Sequence, residues 1–420
     1  MSGMRGMVMR GACAAGKAVQ DVMRMEKIRM PIPKAGEALV KVSACGVCHS
    51  DLHVLLGEIP FPQPAVLGHE IVGKVVGFGP GVDDSVQKRL KSSETDSSFV
   101  VAPFIMPCGS CHDCLSGNEE ICSVFFETNR GKGGLHDGTS RYVSAEKDGD
   151  AGEAAVEGEV VKMYSMGGLS DFTVVPVSSL FRLDVDRASE ALGKEVSPAH
   201  TAILGCAVFT AFGAVRNTAR LQAGESICVV GGGGGVGSAI LQLAQVVGAF
   251  PRVAVDVSEE KLRACTEKFG ATHTVNAAKM SREEVIETVR TIGLREGISL
   301  SHGVTGGVDC VFEALGRPDT FELSVMLARD GGRTVMVGLA DTQAKAQVPI
   351  THLVRRRISV LGSYGAKTRK DMPALVRLVE GGRLDVGSFI DKEFKFDQAA
   401  EAYEELRRGV IKGRAVVKMD

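Results

Sequence analysis

Four cysteines fall within fifteen residues as Cys108-x2-Cys111-x2-Cys114-x7-Cys122, a spacing that lets one loop close four thiolates around a tetrahedral Zn²⁺. Zinc takes soft sulfur readily and has no directional preference of its own. Four protein ligands leave no position for exchange, so the predicted role is structural. His112 lies among them, but four sulfurs suffice and it reads as an exposed loop residue. A second pattern is the run Gly231-Gly-Gly-Gly-Gly-Val-Gly237. With the register anchored on Gly235-Val236-Gly237, the G-x-G-x-x-G set is Gly232, Gly234 and Gly237. Gly232 would permit the tight turn, Gly234 the approach of a pyrophosphate, and Gly237 close helix–strand contact. The following helix N-terminus then offers N–H groups and partial positive charge to phosphates. Asp256 stands nineteen positions after Gly237, where a carboxylate can accept hydrogen bonds from ribose hydroxyls and repel a 2′-phosphate. That favours NAD over NADP.

A third set is dispersed: Cys48 in Gly46-Val-Cys-His-Ser-Asp51, His69 and Glu70 in Gly68-His-Glu70, and Cys206 in Leu204-Gly-Cys206. Spacing alone does not join these residues, and each is equally readable as an ordinary buried side chain. Were they joined, two sulfurs and an imidazole would hold a catalytic zinc with one place open, lowering the pKa of an alcohol there.

Positioning such groups needs rigid elements on either side. Short runs such as Met4–Arg10, Ala38–Val42 and Ile71–Val76 alternate with Gly and Pro, which predicts strands of an antiparallel, barrel-like domain. Residues Cys108–Cys122 form a looped lobe. From about Thr201 the texture changes. Strands are predicted at Ser226–Val230, Val253–Asp256, Val308–Phe312 and Thr334–Val337, and helices at Val236–Val247 and Ser258–Phe269, the latter with a Ser cap. Strands alternating with helices imply a doubly wound parallel sheet. After about Leu361 the chain is expected to return to the first domain. Segment 145–160 carries six acids against one lysine and reads as a solvated insertion.

Bulk numbers agree with a two-domain enzyme. The chain has 420 residues, 44% hydrophobic and 24% charged, with net charge −2, which gives no electrostatic footprint for nucleic acid or anionic membrane. Aromatics are 5% and Trp is absent, against a base-stacking platform. No apolar run reaches the roughly 18–20 residues that span a bilayer. Eleven cysteines, an odd number with four crowded together, favour metal ligation in a reducing compartment, so a cytoplasmic location is expected.

Gly68-His-Glu-Ile-Val-Gly73, followed by Gly79 and Val82, resembles the zinc signature of the medium-chain alcohol dehydrogenases. The four-cysteine lobe, the Gly235-Val-Gly237 turn, Asp256 and Gly205-Cys206 occur in the family order, and the resemblance runs from about Met4 to Lys418. It implies an α/β protein: a GroES-like, β-rich catalytic domain over residues 1–200 and 362–420, with a structural-zinc lobe at 104–123, and a Rossmann NAD-binding domain over 201–361. It also implies two zincs per chain. Cys48, His69 and Cys206 match the catalytic zinc ligands, Glu70 the neighbouring carboxylate, and Asp51 the carboxylate that orients the zinc-bound histidine. Ser50 matches the hydroxyl that takes the alcohol proton and His53 the base that passes it to solvent. His49 and Arg414 match pyrophosphate contacts; Lys261 matches a contact to the adenosine ribose. Gly232, Gly234, Gly235, Val236 and Gly237 would cradle the phosphates. Ile59, Phe104, Met163 and Tyr164 match the substrate walls.

These walls are apolar or amphipathic, and no basic cluster is evident for a charged tail. The expected substrate is a primary alcohol or aldehyde with an alkyl, alkenyl or aryl tail. Glutathione-adduct formaldehyde dehydrogenases share the architecture. An NADPH-linked quinone or enoyl reductase lacks the zinc ligands retained here, and Asp256 argues against an NADPH-preferring cinnamyl-type enzyme. A catalytically retired NAD-binding homologue and a zinc-bearing regulatory protein are the rivals of other classes. A homodimer is expected, with a tetramer as the alternative. Segments 83–98, 145–160 and 294–305 depart from the common pattern and are read as loops.

Overall fold

The computed structural model describes residues 3–13, 17–91, 97–145, 158–296 and 306–419. Its chain divides into one unit of Met1–Cys206 with Lys367–Asp420, and a second of Ala207–Ala366. The divisions fall a few residues later than the 200/201 and 361/362 boundaries read from sequence. The reason is packing: the 3₁₀ helix Pro198–Gly205 lies against strands Glu37–Val47, Ile71–Phe78 and Ser98–Ala102 of the first unit.

In the first unit the predicted alternating runs form two sheets. Seven strands share one of them, in the order Phe181–Asp184, Ser98–Ala102, Ile71–Phe78, Glu37–Val47, Arg414–Lys418 and Ile390–Lys395, with Phe172–Pro176 also pairing onto Glu37–Val47. Arg414–Lys418 therefore sits inside the sheet, antiparallel to Glu37–Val47, so the return of the chain after residue 366 completes this unit. The smaller sheet pairs Gly3–Met9 with Met23–Arg29 and with Ala65–Val66.

The second unit is a six-stranded, wholly parallel sheet in the order His273–Asn276, Arg252–Asp256, Ile227–Val230, Val308–Glu313, Ala328–Met336, Ser359–Gly362. In sequence terms that is 3-2-1-4-5-6, the doubly wound order of dinucleotide-binding sheets. Val229, Ala254, Val311 and Phe312 are fully buried, as strands covered on both faces must be. Helix Gly235–Val247 follows the first strand, and helix Glu259–Glu267 is capped by Ser258, whose hydroxyl accepts from Lys261 N.

Two loop readings are corrected. Within 83–98, Asp84–Leu90 is a helix: Asp83 caps it by accepting from Ser85 N at 2.8 Å, and Lys88 and Arg89 occupy its last turn, matching the helix dipole. Its polar composition hid it among turn residues. The segment read as a loop at 294–305 begins inside helix Arg282–Glu296, which contains Leu294–Glu296; residues 92–96, 146–157 and 297–305 lie outside the described residues.

Candidate metal centres and dinucleotide site

Three separate elements bring the dispersed set together. Cys48 is the N-cap of helix His49–Leu56, so its sulfur stands at the positive end of a helix, where thiolate is favoured. His69 and Glu70 immediately precede strand Ile71–Phe78, and Cys206 ends the 3₁₀ helix Pro198–Gly205. One ligand atom from each of Cys48, His69, Glu70 and Cys206 lies within 4.8 Å of the others, and all four residues are buried. The close approach requires glycine. Gly68 has φ +93°, and a Cβ there would stand 2.7 Å from Leu169 N; a Cβ on Gly46 would collide with Glu70 Oε2.

Asp51 decides which nitrogen of His69 faces the cluster. Asp51, fully buried, accepts from His69 Nδ1 at 3.0 Å and from Gly68 N at 3.1 Å. That orients the ring with Nδ1 toward Asp51, and Nε2 is buried with no hydrogen-bond partner. A buried imidazole nitrogen left unsatisfied among two thiols and a carboxylate is the donor set a zinc ion fits. The two thiols share a charge. The hydrogen bond from Cys206 holds the Cys48 thiol well below its ordinary value, with Arg414 and His69 adding to it against burial; that bond and burial push Cys206 up. Burial raises Glu70 to about 7 against the pull of Arg414.

Sequence reasoning missed two partners here. Arg414, matched to a pyrophosphate, is buried on strand Arg414–Lys418 and its Nη2 donates to Glu70; removing either partner would leave a buried charge uncompensated, a cost of about 3–5 kcal/mol. Tyr403, fully buried on helix Ala399–Arg407, donates its hydroxyl to Asp51 Oδ2 at 2.9 Å. It completes a Tyr403–Asp51–His69 chain, and no spacing could have revealed a partner 352 positions away. Tyr403→Phe, which removes only the hydroxyl, is expected to weaken metal retention and turnover by about 10–100-fold. Zinc content after graded chelation measures this, and unchanged retention would reduce the hydroxyl to filling a hydrogen bond.

Ser50 and His53 stand three residues apart on helix His49–Leu56, hence on one face. Ser50 Oγ lies 3.8 Å from Cys48 Sγ, beside the cluster. His53 is half-buried and its Nδ1 pairs with Glu58, which sequence reasoning also missed. His49 is exposed at the start of the same helix. Of the four candidate wall residues, Phe104 and Tyr164 stand edge-on to the His69 ring at 6.0 and 5.8 Å, and Phe61 joins them 5.0 Å from Tyr164. Ile59 is half-buried and its N–H donates to His53 O. Met163 is fully buried with its sulfur accepting from Arg141 N, so the structure places it in packing rather than beside the imidazole.

The cysteine lobe closes as its spacing predicts. Sulfurs of Cys108, Cys111, Cys114 and Cys122 all lie within 4.8 Å of one another. Backbone N–H groups aim at them: Ser110 and Cys111 donate to Cys108 Sγ at 3.4 and 3.3 Å, and Cys108 and Phe125 donate to Cys122 Sγ, both at 3.4 Å. Such donors stabilise thiolate charge, and the backbone bond from Cys114 leads in bringing the Cys111 thiol down to about 6. The chemistry fits a four-sulfur zinc. Arg369 anchors the lobe, its Nε donating to Glu119 at 2.9 Å, while Thr368 Oγ1 donates to Ile105 O at 2.8 Å.

In the second unit, the left-handed residue of the phosphate turn is Gly231, φ +82°, not Gly232; a five-glycine run gives sequence reading no means to choose between them. Gly237 does make the close helix–strand contact, since a Cβ there would stand 2.1 Å from Gly231 O. Gly234 is the N-cap, and the first bond of the helical ladder is Ser238 N to Gly234 O. The N–H groups of Gly235, Val236 and Gly237 thus precede that ladder, as a phosphate cradle requires. Asp256 Oδ2 accepts from Gly233 N at 3.0 Å and Oδ1 from Val257 N at 2.8 Å, which holds the carboxylate beside the glycine turn. Lys261 packs its side chain at the same turn, with Cβ where a Cβ on Gly233 would be 2.4 Å away.

Residues 34–185 match the alcohol dehydrogenase GroES-like domain, and residues 235–381 match the zinc-binding dehydrogenase domain. The chain is 30% identical over 407 residues to an S-(hydroxymethyl)glutathione dehydrogenase of Photobacterium damsela subsp. piscicida, covering 95% of this chain and 97% of that protein. Its fold is similar to that of an alcohol dehydrogenase zinc-binding domain protein from Burkholderia ambifaria, with TM-score 0.80, 25% identity, and coverage of 100% and 99%. Benzyl alcohol dehydrogenase from Acinetobacter calcoaceticus also shares the fold, with TM-score 0.80, 24% identity, and 100% of both chains covered. The chain belongs to the zinc-dependent medium-chain alcohol dehydrogenase family. It is by that membership an oxidoreductase acting on alcohols, in a family whose groups are zinc and NAD(P).

Proposed function

We propose that this protein is an NAD-linked alcohol dehydrogenase, moving hydride reversibly between NAD and a primary alcohol or aldehyde with an apolar tail. The observation that carries the reading is the buried set Cys48, His69 and Cys206, with His69 Nε2 left without a partner while Asp51 holds Nδ1. In this reading those three residues hold a catalytic zinc, Cys108, Cys111, Cys114 and Cys122 hold a structural one, and the protein works as a cytoplasmic homodimer. Zinc when bound supplies Lewis acidity toward the alcohol oxygen, and NAD accepts the hydride.

The chain's own residues do the rest. Asp51 and Tyr403 keep the His69 ring in one tautomer and orientation. Ser50 takes the alcohol proton, and His53, whose Nδ1 pairs with Glu58, carries it outward. Glu70, tied to Arg414, holds a buried carboxylate beside the ligands. Phe104 and Tyr164 flank the imidazole with apolar surface for the tail, and Ile59 belongs to the same wall by family position. Gly232, Gly234, Gly235, Val236 and Gly237 receive the pyrophosphate, with His49 and Arg414 as further contacts, and Asp256 and Lys261 address the adenosine ribose.

The test is the initial rate of NADH formation over alcohols of graded tail length, with NADP in parallel. Turnover with NAD and dependence on tail length support the reading; no turnover with either cofactor, from protein holding two zincs per chain, would favour the retired homologue. Asp256 sets the cofactor choice by repelling a 2′-phosphate. Asp256→Ala is expected to raise the NADP-to-NAD ratio of kcat/KM by about tenfold or more, equivalent to roughly 1.4 kcal/mol. An unchanged ratio would remove Asp256 from that role.

A further inference from the structure

Arg130 lies on the π-helical segment Phe126–Gly131. Its guanidinium carbon is 4.0 Å from the centroid of Tyr164, 5.2 Å from that of Phe125 and 5.8 Å from that of Phe104. Two of those rings, Tyr164 and Phe104, stand against the His69 imidazole. Arg130 is thus one aromatic ring beyond a metal-ligating side chain.

Ring faces attract a guanidinium but satisfy none of its N–H groups. Arg130 Nη1 is buried with no hydrogen-bond partner. Two other arginines have an unsatisfied buried nitrogen, Arg290 and Arg414, and each has a partner elsewhere on its guanidinium: Met326 O and Glu70 respectively. Among the described residues no carboxylate or carbonyl accepts from Arg130. The nearest acid in sequence, Glu127, is taken by Lys132 at 2.7 Å.

Nor is Arg130 a loosely tethered surface cation. Its neighbour Asn129 is buried and clamps this segment to the wall, donating to Gly134 O and Ser165 O, both at 2.8 Å, and accepting from Ser165 N at 2.9 Å. Ser165 directly follows Tyr164 and has φ +54°, a strained backbone held in place by that clamp. The strand of contacts fixes the cation relative to Tyr164, and π-helical insertions of this kind recur at functional sites.

A fixed cation, partly desolvated and lacking a counter-charge, is arranged for an anion from outside the chain. We infer that Arg130 is a specificity-determining residue that receives an oxyanion, a carboxylate in the first instance, at the far end of an apolar or aryl stem whose hydroxyl end is the reacting group. This rests on the alcohol dehydrogenase reading and deepens it: the walls take the stem, and Arg130 takes the end. The absence of a basic cluster in the sequence does not exclude a charged tail, because one arginine with empty N–H groups suffices.

Three probes of matched shape test this with the zinc-loaded protein and NAD: 4-(hydroxymethyl)benzoate, its methyl ester, and benzyl alcohol. The acid is expected to exceed the ester in kcat/KM by about 10–100-fold, the range of a charge-assisted hydrogen bond. Arg130→Leu is expected to bring the acid-to-ester ratio near one, and Arg130→Lys to retain part of the preference as a point charge without the fork. Equal kcat/KM for acid and ester in the wild type overturns the inference, and so does a preference that survives in Arg130→Leu. The wild-type comparison decides the matter even where the leucine variant does not fold. Turnover of benzyl alcohol without acid preference sinks the inference alone, whereas no turnover of any probe sinks the alcohol dehydrogenase reading and the inference with it.

Discussion

Cys48→Ser will lower alcohol turnover by more than about 1,000-fold while NAD binding and the fold remain. The size follows from what the cluster is for. A Lewis-acid centre contributes several kcal/mol of charge stabilisation, and each 1.36 kcal/mol is tenfold in rate. Serine at this position is smaller, harder and, unlike the Cys48 thiol beside Arg414 and His69, does not release its proton. The fold is spared because Cys48 caps an eight-residue helix through its backbone and not through a side-chain bond. NAD binding is expected to persist because the glycine turn and Asp256, which would carry most of the proposed contacts, lie in the second unit. Steady-state rates, a fluorescence titration with NADH and zinc analysis check the three parts. Wild-type turnover from a serine variant would remove Cys48 from the catalytic centre.

Cys111→Ser should act on stability. The lobe has little apolar core of its own; Leu115 and Ile121 are exposed, and its order comes from sulfurs converging on one point. Metal-binding free energy in such a loop is folding free energy. A fall in Tm on the order of 10 °C is expected, as several kcal/mol produces in a protein of this size. Zinc content should drop from two per chain to one. Scanning calorimetry with metal analysis is the check, and a variant as stable as the wild type with both metals present would sink the structural role.

How much of this was legible in the residues depends on distance along the chain. Cys108 to Cys122 are joined on one loop, so spacing alone exposes their chemistry. Strands such as Ile227–Val230 and the helix at Gly235–Val247 announce themselves by apolar runs next to glycine. Cys48 and Cys206 come together only through the sheet, and it took resemblance to a family to pair them. Tyr403, Glu58 and Arg130 were missed for a further reason. A tyrosine in an amphipathic helix, a glutamate after a helix C-cap and an arginine in a glycine-rich loop all carry ordinary local patterns, and their roles arise from what the fold sets beside them. Gly231 was displaced by one position because identical residues give no register. The helix Asp84–Leu90 was hidden because the residues that cap helices are the residues that make turns.

The strand Arg414–Lys418, lying between Glu37–Val47 and Ile390–Lys395, orders events during synthesis. A ribosome making this chain completes the contiguous second unit, Ala207–Ala366, before it has made the strand that closes the sheet of the first. Until then the first unit lacks an interior strand, Glu70 lacks Arg414, and Asp51 lacks Tyr403. The cysteine lobe likewise waits for Thr368 and Arg369. The nascent protein therefore carries the thiols of both candidate metal centres throughout the synthesis of the second unit, and the buried Cys48–His69–Glu70–Cys206 cluster gains its Tyr403 and Arg414 partners only after that unit is made.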